Sequence, residues 1–388
     1  VFEGRTYHSF SPIFMFPAER VSEMKIGVIT FHRAINYGAA LQTYALQRAI
    51  SDLGFDTEVI DYRCEHMENL YKLIGGFKQK TFKQNIRGFI NLIPSWKKMN
   101  SFRSMIAGNT KLSPVAYDSK SIATANQRYD VFITGSDQVF NYACSDFDKN
   151  YYLSFVEDTR KINSYAASFG ISEIPQEYQS EYTRLLNRFN HLSVREESGR
   201  RIVRELTGRD CALHVDPVFL LNAAEWSKLA KDPGIDNYIL IYRLNKSNII
   251  DDFARKLAKK TGKRVINIGQ DLIDKVKNPD FEGNLSTSVE EFLGLFKHAD
   301  YVVTNSFHGT AFSVIFNRKL YVETKQKDFK KNDRAENLLK LTGLTDSIIE
   351  TLDDCNLDIV RDFEHAQSVL SSERESALDY LRGICSNE

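Results

Sequence analysis

His308 lies in a run of turn formers and proton-exchanging groups, Asn305, Ser306, Phe307, His308 and Gly309. Before it, Tyr301, Val302, Val303 and Thr304 suit a buried strand. After it, the almost wholly apolar residues 310–316 suit a short buried helix, and 319–322 begins the next strand. A loop so placed sits at the carboxyl end of a strand and the amino end of a helix, where unpaired backbone N–H groups favour an anion. A histidine there can meet a phosphate or carboxylate and exchange a proton with it near neutral pH.

Polar residues recur at other expected strand ends. Ser136, Asp137 and Gln138 follow 130–134, Ser168 follows 162–166, Arg195 and Glu196 follow 192–194, and Asp216 follows 213–215. Ligands of open α/β sheets bind in the crevice outside the carboxyl ends of the strands, so Ser136, Asp137, Ser168 and Arg195 are expected to line one rim. Taken one at a time, turn or capping chemistry is the commoner role for each. The first loop, 32–38, carries His32, Asn36, Tyr37 and Gly38. It has no GxGxxG, so it gives no dinucleotide fingerprint, and Gly38 reads as a tight turn into a helix.

The elements that must position these residues form two series. Strands at 25–31, 57–61, 130–134, 162–166, 192–194 and 213–215 predict one α/β domain, 24–222. Strands at 238–242, 264–268 and 301–304, with helices at 248–260 and 289–298, predict a second, 223–345. The Pro217, Pro233 and Gly234 region marks the hinge between them. Residues 346–388 are mostly charged and helical, and long enough to cross back and tie the domains together. Residues 1–23 lack periodicity and are expected to lie outside the fold.

Between 71 and 117 there is no acidic residue but nine basic ones, with Phe82, Ile86, Phe89, Ile90 and Ile93 at helical spacing. This predicts a basic helical insertion, read either as a flap holding the protein against an anionic membrane or as an ordinary solvated helix. Over the whole chain of 388 residues, 51 basic side chains balance 51 acidic ones, so no nucleic-acid partner is expected. Five scattered cysteines without a CxxC pair or a zinc-ligand spacing predict a reduced, cytoplasmic protein with no metal site. No apolar run approaches the ~20 residues needed to span a bilayer.

Six motifs in order carry a family resemblance: NYGAALQ (36–42), DVFITGSDQVFN (130–141), SYAASFG (164–170), LSVREESG (192–199), HVDPVFLL (214–221) and VVTNSFHGTAFSVIF (302–316). Together they resemble the polysaccharide pyruvyl transferase family. The resemblance implies two Rossmann-like domains facing a cleft, GT-B-like, and transfer of pyruvate from phosphoenolpyruvate to two hydroxyls of a sugar as a ketal. Phosphoenolpyruvate would be a co-substrate, with no cofactor, and the acceptor a glycan or lipid-linked glycan. It makes His308 the acid/base candidate and Arg195 a clamp for phosphate or carboxylate. Asn36, Gly38, Ser136, Asp137, Gln138, Ser168, Ser306, Phe307, Gly309 and Arg334 are the expected substrate-binding residues. Two positions depart from the family's habit, Phe140 where tryptophan is common and Asn305 where aspartate is. A GT-B glycosyltransferase using a nucleotide sugar, and a non-catalytic subunit of a polysaccharide assembly complex, are the alternatives.

Overall fold

The computed structural model describes residues 22–72, 90–325, 333–357 and 359–386. Eleven of the thirteen strands among these residues form two main parallel sheets. In the first, β1 (Ser22–Ile29), β2 (Phe55–Tyr62), β3 (Leu112–Tyr117), β4 (Val131–Thr134) and β5 (Ile162–Ser164) lie in the order β3-β2-β1-β4-β5. Bridges Asn163↔His191 and Ala167↔Val194 carry that sheet on to the pair β6 (Ser193–Val194) and β7 (Ala212–Leu213). The second sheet holds β8 (Tyr238–Tyr242), β9 (Arg264–Ile268), β10 (Phe281–Glu282), β11 (Tyr301–Thr304), β12 (Lys319–Glu323) and β13 (Ile348–Ile349), ordered β10-β9-β8-β11-β12-β13.

Both sheets thus run 3-2-1-4-5 outward from a first central strand, which is the doubly wound Rossmann-like order. The order of strand addition reverses between β1 and β4 and again between β8 and β11. Crevices open at the carboxyl ends of those strand pairs. The loops leaving β1, β4, β8 and β11 hold Asn36, Ser136, Arg243 and Ser306 respectively.

Six helices matter for the site. These are α1 (Tyr37–Asp52), α2 (Leu92–Asn109), α3 (Val289–His298), α4 (Phe307–Ile315), α5 (Asp333–Leu341) and α6 (Phe363–Ser386). The two sheets do not keep separate cores. Tyr37, Ala40 and Leu41 of α1 and Phe102, Met105 and Ile106 of α2 belong to one buried cluster with Phe292, Phe296, Phe307 and Phe312 of the second domain. Tyr37 stacks on Phe292 with ring centroids 4.3 Å apart, and its hydroxyl donates to the Thr287 carbonyl at 2.7 Å. An aromatic inserted across the domain boundary fixes the two helix N-termini relative to each other, because close-packed interiors resist sliding.

α6 runs back across both domains. Gln367 donates to the Val314 carbonyl at 2.8 Å, Arg374 to that of Phe219 at 2.7 Å and Tyr380 to that of Ser164 at 2.9 Å.

Three differences from the sequence reading have physical reasons. β1 starts at Ser22, inside the stretch 1–23 expected to lie outside the fold, because backbone pairing with Phe55 needs no apolar side chain. Residues 1–21 lie outside the described residues.

The insertion at 71–117 is not helical to its end. Leu112–Tyr117 is the edge strand β3, where Pro114 is tolerated since an edge need not donate on both sides. α2 turns Phe102, Met105 and Ile106 into the interdomain core, while Ile93 and Trp96 stay 67% and 52% exposed. The residues that motivated a flap, Lys78, Lys80, Phe82, Lys83, Ile86, Arg87 and Phe89, lie outside the described residues.

α4 begins at Phe307 rather than 310, because Ser306 caps it by accepting the Gly309 N–H at 3.3 Å. His308 therefore sits in the first helical turn.

Candidate functional site

Two helix N-termini meet at the domain boundary. Asn36 caps α1, its side chain accepting the Ala39 N–H at 3.2 Å, and Ser306 caps α4. Between them the His308 ring lies against Gly38 so closely that a Cβ on Gly38 would overlap the imidazole. Gly38 is a helical residue in the first turn of α1, not a turn glycine, and its lack of a side chain makes room for His308. Gly309 serves the same end one step behind. A Cβ there would run into Thr304 and Tyr242, so its absence lets α4 sit close on β11 and β8.

A buried ion cluster stands behind the histidine. Arg195 Nη1 donates to Asp216 Oδ2 and lies 3.4 Å from Ser136 Oγ, which is itself 3.4 Å from Asp216 Oδ2. His308 Nε2 is 3.5 Å from the same carboxylate oxygen. Asp216 Oδ1 accepts the Val218 N–H at 3.0 Å. Burial alone would raise the Asp216 pKa, but Arg195 first and His308 second hold it well below the usual carboxylate range. Arg195 is also packed over the Phe307 ring at 4.8 Å, and its Nε and Nη2 are buried with no hydrogen-bond partner.

Arg334, in the first turn of α5, faces the same space. Burial pushes its pKa down and the charge of Arg195 pushes it further, with Glu196 and Asp137 acting the other way. Arg195, Asp216, Phe307 and Arg334 line a cavity of about 290 Å³ between the domains. Two guanidinium groups thus share one cavity with the carboxylates of Glu196, Glu197, Asp216 and Glu373, and the partnerless N–H groups of Arg195 are of the kind that suit an anionic group.

Of the remaining expected residues, Ser168 reaches this cluster through Glu196. Ser168 Oγ donates to Glu196 Oε1 at 2.9 Å, an oxygen that also accepts the Phe169 and Gly170 N–H groups. Glu196 Oε2 lies 3.8 Å from Arg195 Nε. Gln138 fills the space beside Gly170, which has φ +61, and accepts from Asn141 at 2.9 Å. Asp137 adopts φ 69 at the carboxyl end of β4 and accepts the Gln138 N–H. Asn36 lines a second cavity, of about 270 Å³, with Lys98 and Lys246.

Phe140 is fully buried and stacks on Tyr152, so its departure from tryptophan is a matter of packing. Asn305 accepts the Leu244 N–H at 3.0 Å and donates to Glu323 at 3.3 Å. An aspartate there would confront that carboxylate, which the amide avoids.

Asp216, Glu196 and Lys98 were not among the expected site residues. Asp216 and Glu196 were visible as polar strand ends, and Lys98 only as one of the nine basic residues of 71–117. Asp216→Asn tests the cluster's electrostatics. Because the folded-state pKa of Asp216 is depressed, its stabilising contribution is present above the unfolded value of about 3.9 and lost as pH falls through the folded value. The variant is expected to be less stable than the wild type at pH 7, with the gap closing below about pH 4 in denaturant titrations. A pH-independent gap would contradict the ion cluster.

Among the described residues no group of three or more His, Cys, Asp or Glu could hold a metal, and no helix is long and apolar enough to cross a membrane.

Solved structures of sugar-nucleotide enzymes show a distant likeness at low identity. The Listeria monocytogenes putative UDP-N-acetylglucosamine 2-epimerase is 11% identical, with a TM-score of 0.49 over 93% of this chain and 91% of that one. The Escherichia coli ADP-heptose lipopolysaccharide heptosyltransferase II is 11% identical, with a TM-score of 0.39 over 90% and 99%. The Thermobaculum terrenum O-GlcNAc transferase is 12% identical, with a TM-score of 0.45 over 93% of this chain, which spans only 64% of its length. Likeness at this level carries no argument about chemistry. No curated protein matches. The polysaccharide pyruvyl transferase family profile matches residues 36–322, from the Asn36 cap through the His308 helix to β12, and the chain belongs to that family.

Proposed function

We propose that this protein moves the pyruvyl group of phosphoenolpyruvate onto two hydroxyls of one sugar in a cell-surface polysaccharide or its lipid-linked precursor, as a ketal. The observation that carries the reading is the pair Arg195 and Arg334 on one cavity beside the Asp216–His308 contact. Phosphoenolpyruvate bears a phosphate and a carboxylate on adjacent groups, which suits two guanidinium groups set against a helix N-terminus.

In this reading His308 delivers a proton to the methylene carbon, making it a methyl group, while Asp216 stabilises the imidazolium. A sugar hydroxyl adds to C2 and gives up its proton. The C2–O bond to phosphate breaks, with Arg195 and Arg334 taking the developing negative charge. A second hydroxyl then closes the ring. Of the two hydroxyl protons, one ends in the methyl group and one on phosphate.

The test is phosphate release. Phosphate freed from phosphoenolpyruvate only when a glycan acceptor is present supports the reading. Release of a nucleoside diphosphate from a nucleotide sugar overturns it.

Membrane contact through 71–117 belongs to the same proposal. Ile93 and Trp96 are exposed on α2, which carries no acidic residue. Binding to vesicles containing anionic lipid is expected, lost at high salt and in the double variant Ile93→Ser, Trp96→Ser. No binding at low ionic strength contradicts it.

A further inference from the structure

The second cavity shares no lining residue with the first among the described residues, yet it includes Asn36, two positions from the glycine on which His308 rests. Its chemistry differs. Asn36 and Asn267 bring amide edges of the kind that meet sugar hydroxyls. Asn36 spends its Oδ1 on the helix cap, so toward a ligand it has only its amide N–H groups to offer.

The charged groups are unevenly matched. Lys246 is paired with Asp274, whereas Lys98 has its ammonium 4.8 Å over the Tyr37 ring and 5.7 Å over that of Phe102. No ion pair to Lys98 is present among the described residues, and burial alone pushes its pKa down to about 8. It remains mostly charged at neutral pH. A half-buried cation held only by aromatic faces recovers its lost solvation most fully from an anion.

We propose that this cavity is the acceptor subsite and that it takes a saccharide carrying an anionic group, a phosphate ester or a carboxylate, held by Lys98 and Asn36. Calling the ligand an acceptor rests on pyruvyl transfer. Its capture at Lys98 does not, and is tested without turnover.

The experiment follows acylation of individual lysines by an amine-directed reagent at pH 8, read by peptide mass spectrometry on the whole protein. Glucose 1-phosphate or glucuronate is expected to slow labelling of Lys98 by about tenfold near saturation. Labelling of the exposed neighbour Lys97 should not change. Protection by the phosphate ester alone, or by the uronate alone, identifies which anion the site reads.

Asn36→Asp keeps a capping side chain but sets a carboxylate against the ligand, so about tenfold more ligand should be needed for the same protection. Four outcomes overturn the proposal. They are no protection of Lys98 by either anionic sugar, equal protection by neutral glucose, equal protection by inorganic phosphate or phosphoenolpyruvate, and unchanged protection in Asn36→Asp. A protected Lys98 in a protein that releases no phosphate from phosphoenolpyruvate would sink pyruvyl transfer and leave the anionic sugar site standing.

Discussion

His308→Ala is expected to lower kcat on the order of 10³-fold, the middle of the range for loss of a positioned acid or base. Stability should change little, because Asp216 keeps Arg195, Ser136 and the Val218 N–H when the imidazole is gone. Gly38→Ala is the companion experiment. The added methyl would overlap the His308 ring and push it away from Asp216, although alanine itself suits a helix. Its activity should fall toward that of His308→Ala with only a small change in melting temperature. Wild-type turnover in His308→Ala removes the histidine from the chemistry. Wild-type turnover in Gly38→Ala would mean that the ring need not stand where the structure places it.

Arg195 divides into two measurable parts. Arg195→Lys keeps a positive charge, but one ammonium cannot hold Asp216 and also present a planar pair of donors to a ligand. The KM for phosphoenolpyruvate should rise by about tenfold or more and kcat should fall with it. Arg195→Met leaves the Asp216 carboxylate, 1% exposed, without its principal partner. A loss of about 3–5 kcal/mol of stability is expected, as for a broken buried pair. Equilibrium denaturation separates the two. If the lysine variant keeps both kinetic constants, Arg195 serves only to neutralise Asp216.

Much of this was legible in the chain because strand ends advertise themselves. The apolar runs at 130–134, 301–304 and 238–242 each break abruptly into polar residues. The doubly wound topology then carries Ser136 and Ser306 to the same side of their sheets. What local pattern could not show is contact across the boundary. That Gly38 is empty so that His308 can lie there is a fact about residues 270 positions apart, and it looks locally like a plain turn. Asp216 appeared as a strand-end cap, and it is one, holding the Val218 N–H. Its second oxygen, which gathers Arg195, Ser136 and His308, becomes visible only when three loops converge.

The insertion misled for a different reason. Its lack of acid drew attention to charge, while the decisive feature of α2 is the buried face Phe102, Met105 and Ile106 that locks the two domains and brings Lys98 to the cleft. Asn305 shows the converse case. Where the resemblance implies aspartate, the amide is explained by the Glu323 carboxylate next to it.

The most direct test of the central claim is the fate of the methylene carbon. Phosphoenolpyruvate and a glycan acceptor are incubated with the protein in D₂O for a single turnover, and the product is read by NMR and mass spectrometry. Pyruvyl transfer with His308 as the proton donor gives a ketal on two oxygens of one sugar, one phosphate released per ketal, and one solvent deuterium in its methyl group, with all three lost in His308→Ala. Free pyruvate without a ketal, or a product that retains the methylene, would contradict it.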